Sequence, residues 1–513
     1  MWFSVIYSLD SGELAVEGDC LIRENDAYKV VLMCNLPEDE IEHKCDALLR
    51  LGKDAADQLN GRYTVLLYNK KTRQVDCFQD FLCGLAPLYY TQKDGKIYLS
   101  TSLRTLLLKS DIPREFDKKA FRMFEIQNAV YGGSTLIKNV RKLPLQKALH
   151  ITSQGIAVQE DKLRFQPCDH SGEITIEACE ELWGACVKRS VLRSAASEKE
   201  VAMPLSSGYD SNCILWNLAQ DDTRKIHCYS VGGAKGISEV SAAEEIAKQY
   251  ASTCFSSAEV SPDTFQSLPD IVWRLEGSMY EQGAFLQYEL AKAIHSDGGR
   301  TIICGEGSDE IFSDGFYHSL THPEDKQPAL FSRKRSMYVW LAQYISRKST
   351  LIMNSFGIVP RYPFSDTAVV PLANYVKQIS RTKGKAFHKA YCKKCFPEEV
   401  MQRIHSVGGK TDLTSLFVRD PYEELKALKK YAKIRIGFSL SVLNAYEVLR
   451  MRIVNLVKGP IYNVKKEKER RFANGVIVHL YLKVFGELYL SGKYDGCFHE
   501  GAFTMKLQDV LGN

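Results

Sequence analysis

The chain has 513 residues, of which 45% are hydrophobic and 25% charged, and 67 Lys plus Arg against 62 Asp plus Glu give a formal charge of +5. That length fills two or three cores, and so small an excess of positive charge excludes a general basic surface for nucleic acid. The opening "MWFSVIYSLDSGELAVEGD" lacks a basic n-region and no run approaches about 18 apolar residues, so neither a signal peptide nor a membrane span is expected, and the fifteen scattered cysteines fit a reducing cytoplasm.

Residues 1–160 read as β-rich. Runs at 63–69, 75–80, 86–92 and 97–102 are short and separated by turn signals such as "KKTRQ" and "KDGK", the pattern of antiparallel sheets. One helix is expected over "DEIEHKCDALLRLGKDAADQLN", where Ile41, Cys45, Leu48 and Leu49 recur at helical spacing. The polar segment 153–175 reads as the link to a second domain.

After it the periodicity changes. An amphipathic helix, "IEACEELWGACVKRSVLRSA", leads to a buried strand, "EVAMPLS", and a helix, "NCILWNLAQ". A strand "IHCYSVGG", a helix "SEVSAAEEIAKQYA" and a strand "TIICGEG" follow. Strands alternating with helices predict a parallel sheet with helices on its faces. From about residue 330 the chain reads as mainly helical. "VKKEKERR" at 464–471 is interrupted by Glu467 and Glu469, which makes it a solvated helix face rather than a nucleic-acid stripe. "AYCKKCFPEE" holds a CxxC, Cys392–Cys395, but no second pair stands at zinc-finger spacing, so two helical cysteines are expected.

Ligands of open parallel sheets sit beyond the carboxyl ends of the strands. Two strand ends carry unusual residues. "MPLSSGYDSNCILW" places Ser206, Ser207 and Gly208 in a tight turn before a helix, with Asp210 and Ser211 in its first turn. Small residues there let backbone N–H groups approach an anion. "IICGEGSDEIF" ends a second strand in Gly305, Glu306, Gly307, Ser308, Asp309 and Glu310. If the two ends lie together, Asp210 and Asp309 are placed to share a Mg²⁺, which takes one or two carboxylates plus phosphate oxygens. The turn has no lysine at the GxxxxGK[ST] position, so a P-loop is excluded.

"LSSGYDS" resembles the SGGxDS pyrophosphate loop of the N-type ATP pyrophosphatases, and "GEGSDEIF" resembles the GEGSDELF signature of the asparagine synthetases. "YSVGG" followed by "SEVSAAEEIA", "RYPFSD" (361–366) and "GKAFHKAYCKKCFPEEVMQR" (384–403) are similar to further stretches of that family, as is "LNGRYTVLLYNKKTRQVDCFQDFLCGLAPLYY" in the N-terminal half. The likeness spans nearly the whole chain. It implies an N-terminal Ntn-type amidotransferase-like β-sandwich domain over 1–160. An α/β parallel-sheet ATP-pyrophosphatase domain with a helical C-terminal part follows over 170–513. It also implies the reaction: ATP adenylates a carboxylate, pyrophosphate leaves, and an amine attacks the acyl-AMP to form an amide. Leu205, Ser206, Ser207, Gly208, Asp210, Ser211, Ser230 and Gly305 would bind ATP. Asp210 and Asp309 would hold Mg²⁺, Glu306 would act as the base on the amine, and Lys385 would face the phosphates.

Three departures bear on the substrate. Glutamine-using members begin Met-Cys, whereas this chain begins Met1-Trp2-Phe3 with no cysteine before Cys20, so no glutaminase is expected and the N-terminal domain becomes structural or substrate-binding. The amine must then be free ammonia or belong to the substrate, as in two branches that lost the glutaminase, the β-lactam and carbapenam synthetases and the lasso peptide cyclases. Those branches carry a ring-closing lysine in a loop that here reads "RIHSVGGKTDLTSLF"; simple register puts His405 at its place, and Lys410 fits if the loop has shifted. The resemblance therefore implies a macrolactam-forming lasso peptide cyclase. Its partners would be a precursor peptide, a leader-binding protein and a leader protease. A small-lactam synthetase, an ammonia-dependent asparagine-type ligase and a catalytically silent scaffold are the alternatives. Ser207, where the family has Gly, is tolerable if its φ is negative.

Overall fold

Strand β1 (Trp2–Ser8) buries Phe3, Val5 and Tyr7 on one face, the period-two alternation of a strand covered on one side. It joins β2 (Leu14–Asp19), β8 (Lys96–Ser100), β7 (Tyr89–Lys93) and β9 (Arg141–Lys142) in an antiparallel sheet ordered β2-β1-β8-β7-β9. A second antiparallel sheet is ordered β11-β10-β6-β5-β4-β3. It contains β3 (Leu21–Glu24), β4 (Tyr28–Cys34), β5 (Tyr63–Asn69), β6 (Gln74–Gln79), β10 (Lys147–Thr152) and β11 (Gly155–Glu160). In β4, Val31 and Met33 pack with Phe3, Val5 and Tyr7 of the first sheet, while Val30 and Leu32 pack with Cys45 and Leu48 of helix α1 (Glu38–Leu51). The two sheets therefore form a sandwich, and α1 covers the outer face of the second.

The chain is described here from a computed structural model over residues 1–165, 174–196, 198–221, 223–233, 237–321, 337–404, 464–498 and 503–511, with 451 and 456. Two expectations are corrected within the N-terminal half. The α-helix predicted over 39–60 ends at Leu51, because Gly52 takes φ +61° and the chain continues as a 3-10 turn. The predicted link over 153–175 contains β11, which pairs with β10 from Gly155 to Glu160 as an edge strand with an exposed outer run.

Helices α2 (Leu103–Ser110) and α3 (Lys118–Gln127) complete the first half, and α4 (Ile176–Ser194), capped by the Thr175 side chain, opens the second. It precedes a parallel sheet ordered β14-β13-β12-β15-β16. The strands are β12 (Glu200–Pro204), β13 (Lys225–Gly233), β14 (Thr253–Val260), β15 (Thr301–Ile303) and β16 (Val359–Arg361). The chain enters at the centre, winds outward through β13 to β14, and returns to the other side of β12 as β15. The order therefore reverses between β12 and β15, and a crevice opens beyond their carboxyl ends. Helices α5 (Tyr209–Leu218), α6 (Ile237–Ala247), α7 (Leu268–Leu275) and α8 (Gly283–Ser296) follow these strands. "VKKEKERR" lies in the helix Val464–Phe485, and Cys392–Cys395 lie in the helix Ala386–Cys395.

The two halves share one continuous core, and polar contacts fix their seam. Asn35 Nδ2 donates to Pro360 O at 2.6 Å, and Arg193 grips Glu40 with two 2.7 Å bonds. Glu276 is buried at the end of α7. It accepts from the Leu103 N–H at 3.0 Å, and Arg104 Nη1 lies 3.5 Å away. Burial pushes its carboxyl pKa up, while Arg104 and the Leu103 N–H pull it back. Glu276→Ala is expected to destabilise the protein by about 3 kcal/mol, because Arg104 stays buried without its counter-charge. Glu276→Gln should recover part of that, since its carbonyl still accepts from Leu103. Urea midpoints of the two variants against wild type check the order.

Candidate active site

The β12 strand ends in a turn that its own side chains hold open. Ser211 Oγ receives the Ser206 N–H at 3.2 Å, and Ser206 Oγ receives the Gly208 N–H at 3.2 Å. Asn212 Nδ2 donates to the Ser206 and Gly208 carbonyls at 2.9 and 2.7 Å. Gly208 stands at the N-cap of α5 with φ −87°, and no side chain caps the helix. The first turn of α5, with Asp210 and Ser211 at the cleft, thus has N–H groups that no side chain caps. Ser207 is buried and is not among the residues with positive φ, so the serine costs the turn no backbone strain.

The β15 end comes directly against this turn. A Cβ on Gly305 would lie 3.3 Å from Asp210 Cβ and 3.4 Å from the Ser211 nitrogen. Gly307 takes φ +103° as the N-cap of α9 (Ser308–Ile311), and its turn swings Asp309 and Glu310 toward the crevice. A cleft of about 390 Å³ is lined by Leu205, Ser206, Asp210 and Ser211 from the first turn, and by Ser230 at the end of β13. Gly305, Glu306, Asp309 and Glu310 line it from the second turn. Of the residues expected to bind ATP, Ser207 and Gly208 shape the turn but do not line the cleft. Lys410 and His405 lie outside the described residues.

Lys385, at the start of the helix Ala386–Cys395, ties the two acids together. Its ammonium lies 2.5 Å from Asp210 Oδ2 and 2.8 Å from Asp309 Oδ1. The two carboxylates therefore converge, with the lysine between them. Burial alone would raise the Asp210 pKa, but His388 and Lys385 outweigh it and hold the carboxyl at about 2. Burial would lower the Lys385 pKa, and the two acids reverse it to a net rise. Asp210 Oδ1 is buried without a hydrogen-bond partner and faces His388 Nε2 at 3.4 Å. Two convergent carboxylates, one with an orphaned oxygen, suit a hard cation such as Mg²⁺.

Glu306 has a different environment. Its Oε1 accepts from Ser349 Oγ at 2.5 Å and from Gln287 Nε2 at 3.4 Å, while its Oε2 is buried without a partner. Burial pushes its pKa up against the pull of Lys348, whose ammonium bonds Glu281 at 2.7 Å. Glu310, buried and beside Asp309 and Glu306, is pushed up to about 7, burial being the largest cause. Two classes of carboxylate thus share one cleft, one held ionised and the other biased toward its proton, which is how acid and base roles are divided. Sequence reasoning assigned no role to Glu310, Gln287, Ser349 or His388. Glu310 was legible as one more acid in "GEGSDEIF"; the others sit on elements whose approach to the cleft is set by tertiary packing.

Comparison with known proteins places these features. Residues 41–161 match the family model described as glutamine amidotransferase domain, and residues 183–337 match the one described as asparagine synthase. The chain is 27% identical over 281 residues to asparagine synthetase [glutamine-hydrolyzing] 1 of Bacillus subtilis, covering 54% of this chain and 43% of that protein. It is 22% identical over 378 residues to asparagine synthetase [glutamine-hydrolyzing] of Asparagus officinalis, covering 69% and 57%. Against the root asparagine synthetase [glutamine-hydrolyzing] of Pisum sativum it is 22% identical over 230 residues, covering 41% and 38%. The chain spans about half the length of the curated relatives it matches. No helix among the described residues is long and apolar enough to cross a membrane. A match to the glutamine amidotransferase model thus precedes a match to the asparagine synthase model, and the chain is similar to the asparagine synthetases.

Proposed function

We propose that the cleft binds ATP with its pyrophosphate on the 205–211 turn, and that the protein is an ATP-dependent amide ligase. A substrate carboxylate oxygen attacks the α-phosphorus, the bond to the bridging oxygen breaks, and pyrophosphate leaves. An amine then attacks the acyl-AMP carbonyl, AMP departs with the bonding electron pair, and the amine's proton passes to a base. The observation that carries this reading is the convergence of two strand ends, which brings Ser206, Asp210 and Ser211 against Gly305, Glu306 and Asp309 around one cleft. The uncapped start of α5 and the Ser206 hydroxyl would take the pyrophosphate oxygens. Asp210 and Asp309 would hold Mg²⁺, which when bound supplies positive charge to the leaving pyrophosphate. Lys385 would neutralise the same oxygens, and Glu306, with its raised pKa, would accept the proton of the attacking amine.

The substrate we propose is a precursor peptide whose Asp or Glu side chain is adenylated and whose own α-amine closes a macrolactam, as in the lasso peptide cyclases. A leader-binding protein and a leader protease would be its partners. A small-lactam precursor, or aspartate with ammonia, is the alternative for the same chemistry. Exchange of labelled pyrophosphate into ATP, run over a panel of carboxylates with and without glutamine, tests both levels. Exchange that requires a peptide and ignores glutamine is the expected result. Exchange driven by free aspartate would remove the peptide reading. Absence of exchange with every carboxylate would remove the ligase and leave a scaffold.

A further inference from the structure

Cys392 and Cys395 carry no role in the proposed reaction, and in sequence they lack a second pair of donors. The fold supplies donors from elsewhere. His388, Cys392 and Cys395 stand at i, i+4 and i+7 on the helix Ala386–Cys395, so all three lie along one stripe. Cys213 comes from α5, across the interface between the two helices. The donor atoms of Cys213, His388 and Cys392 all lie within 4.8 Å of one another, and all three residues are buried. Among the described residues this is the one set of three such donors that converges so closely.

We propose that Cys213, His388 and Cys392, with Cys395 as fourth ligand, form a structural site for a soft-to-borderline divalent metal of the zinc class. The distances suit it. Zinc–sulfur and zinc–nitrogen bonds in a tetrahedron put neighbouring ligand atoms about 3.6 Å apart, and Cys392 Sγ lies 3.6 Å from His388 Nε2. Cys395, less buried than the other two cysteines and outside the converging trio, bonds the Tyr391 hydroxyl one turn back, and its side chain would have to turn from there to complete the set. Three cysteines and one histidine are a common structural zinc set. The surroundings are dry and aromatic, with Trp183, Phe312 and Phe364 rings 5.4–5.9 Å from the imidazole, so bulk water has little access to compete as a ligand.

Metal binding exchanges protons. Each coordinating thiol releases its proton to solvent and binds as thiolate. Trp183 Nε1–H donates to His388 Nδ1 at 3.3 Å, which leaves the ring proton on Nε2 facing Asp210. Coordination through Nε2 moves that proton to Nδ1 and gives up both the Trp183 bond and the Nε2–H contact with Asp210 Oδ1. One long neutral hydrogen bond and one long contact to a carboxylate together are roughly a quarter of the binding free energy of a structural zinc site. The consequence is a clip between α5, which carries Asp210, and the helix that begins at Lys385. This inference stands whether or not the cleft is an amide ligase.

Metal analysis of the full chain, purified from zinc-supplemented cells without chelator, tests it. About one equivalent of zinc per chain is expected. The Cys213→Ser and Cys392→Ser variants should lose it, and Cys45→Ser, in the N-terminal domain, should keep it. Because a core cysteine variant can misfold, cobalt is to be titrated into the metal-free wild type as a second readout. Thiolate-to-cobalt charge-transfer absorption is expected, together with protection of Cys213, Cys392 and Cys395 from alkylation. A wild type that takes up neither metal, a cobalt spectrum without thiolate bands, or full zinc retention in the Cys213→Ser/Cys392→Ser double variant would overturn the proposal.

Discussion

Asp210→Asn is expected to reduce ATP–pyrophosphate exchange by at least ~10²–10³-fold, the scale on which a single preorganised charge acts at a transition state. The residue occupies the first turn of α5, with Oδ2 on Lys385 at 2.5 Å and Oδ1 unbonded, 3.4 Å from His388 Nε2. An asparagine keeps the shape but turns an NH₂ toward one of two donors, and it brings no negative charge to the cation that pyrophosphate needs. Asp309→Asn should do less, because the Asp309 side chain is 74% exposed and solvent can replace part of its field. The same substitution should change acid stability. The Asp210 carboxyl titrates at about 2 in the folded chain, against roughly 3.9 unfolded. Between those values the unfolded state holds more protons, so stability rises with pH across the window. The contribution, on the order of 2 kcal/mol, is complete above about pH 4 and lost as the pH falls through 2. Thermal midpoints of wild type and Asp210→Asn should therefore differ at pH 7 and converge toward pH 2. Parallel curves would separate the residue's electrostatic role from its packing.

Much of this site was legible before any coordinates. Small residues and acids at two strand ends are a local signal, and strand, turn and helix followed one another as the hydrophobic pattern implied. The missing parts are those that local sequence does not encode. Strand β14, "TCFSSAEV", was not recognised: it is a half-exposed edge strand without an apolar run. Strand β16 has only three residues, too few for any period to register. The hydrophobic spacing runs on past Leu51, whereas a single Gly52 at positive φ ends the first helix there. Nothing in the sequence around His388, "GKAFHKAY", says that residue 210 lies against it. Lys385 was placed near the phosphates, but its position between two carboxylates is a product of how the helix Ala386–Cys395 docks on α5. Burial, which separates the ionised Asp210 from the proton-biased Glu306 and Glu310, likewise belongs to the fold and not to residue type.

Glu306→Gln is expected to separate the two halves of the reaction. On the proposed reading adenylation draws on the 205–211 turn, Asp210, Asp309 and Lys385, none of which Glu306 contacts through its observed bonds to Ser349 and Gln287. Pyrophosphate exchange should therefore persist within a few-fold. Amide formation should fall by about 10²–10⁴-fold, the usual contribution of a positioned base, and AMP should be released through hydrolysis of the acyl-AMP. The groups facing Glu306 set its pH response: Lys348 and Arg62 favour its anion, while burial, Glu281 and neighbouring Glu310 oppose it. The net shift is upward, so the acid limb of amide formation should lie above the ordinary glutamate range and disappear in the variant. For stability the sign is the reverse of that at Asp210. A carboxyl whose folded pKa is raised binds its proton more tightly folded than unfolded, and its ionisation lowers stability as the pH rises through the unfolded value of roughly 4.3 toward the folded one. At neutral pH the uncharged glutamine is thus expected to be at least as stable as the wild type. A variant that melts no lower, still exchanges pyrophosphate and no longer makes amide would place Glu306 at the second step. Loss of exchange at unchanged melting temperature would instead move it to the first.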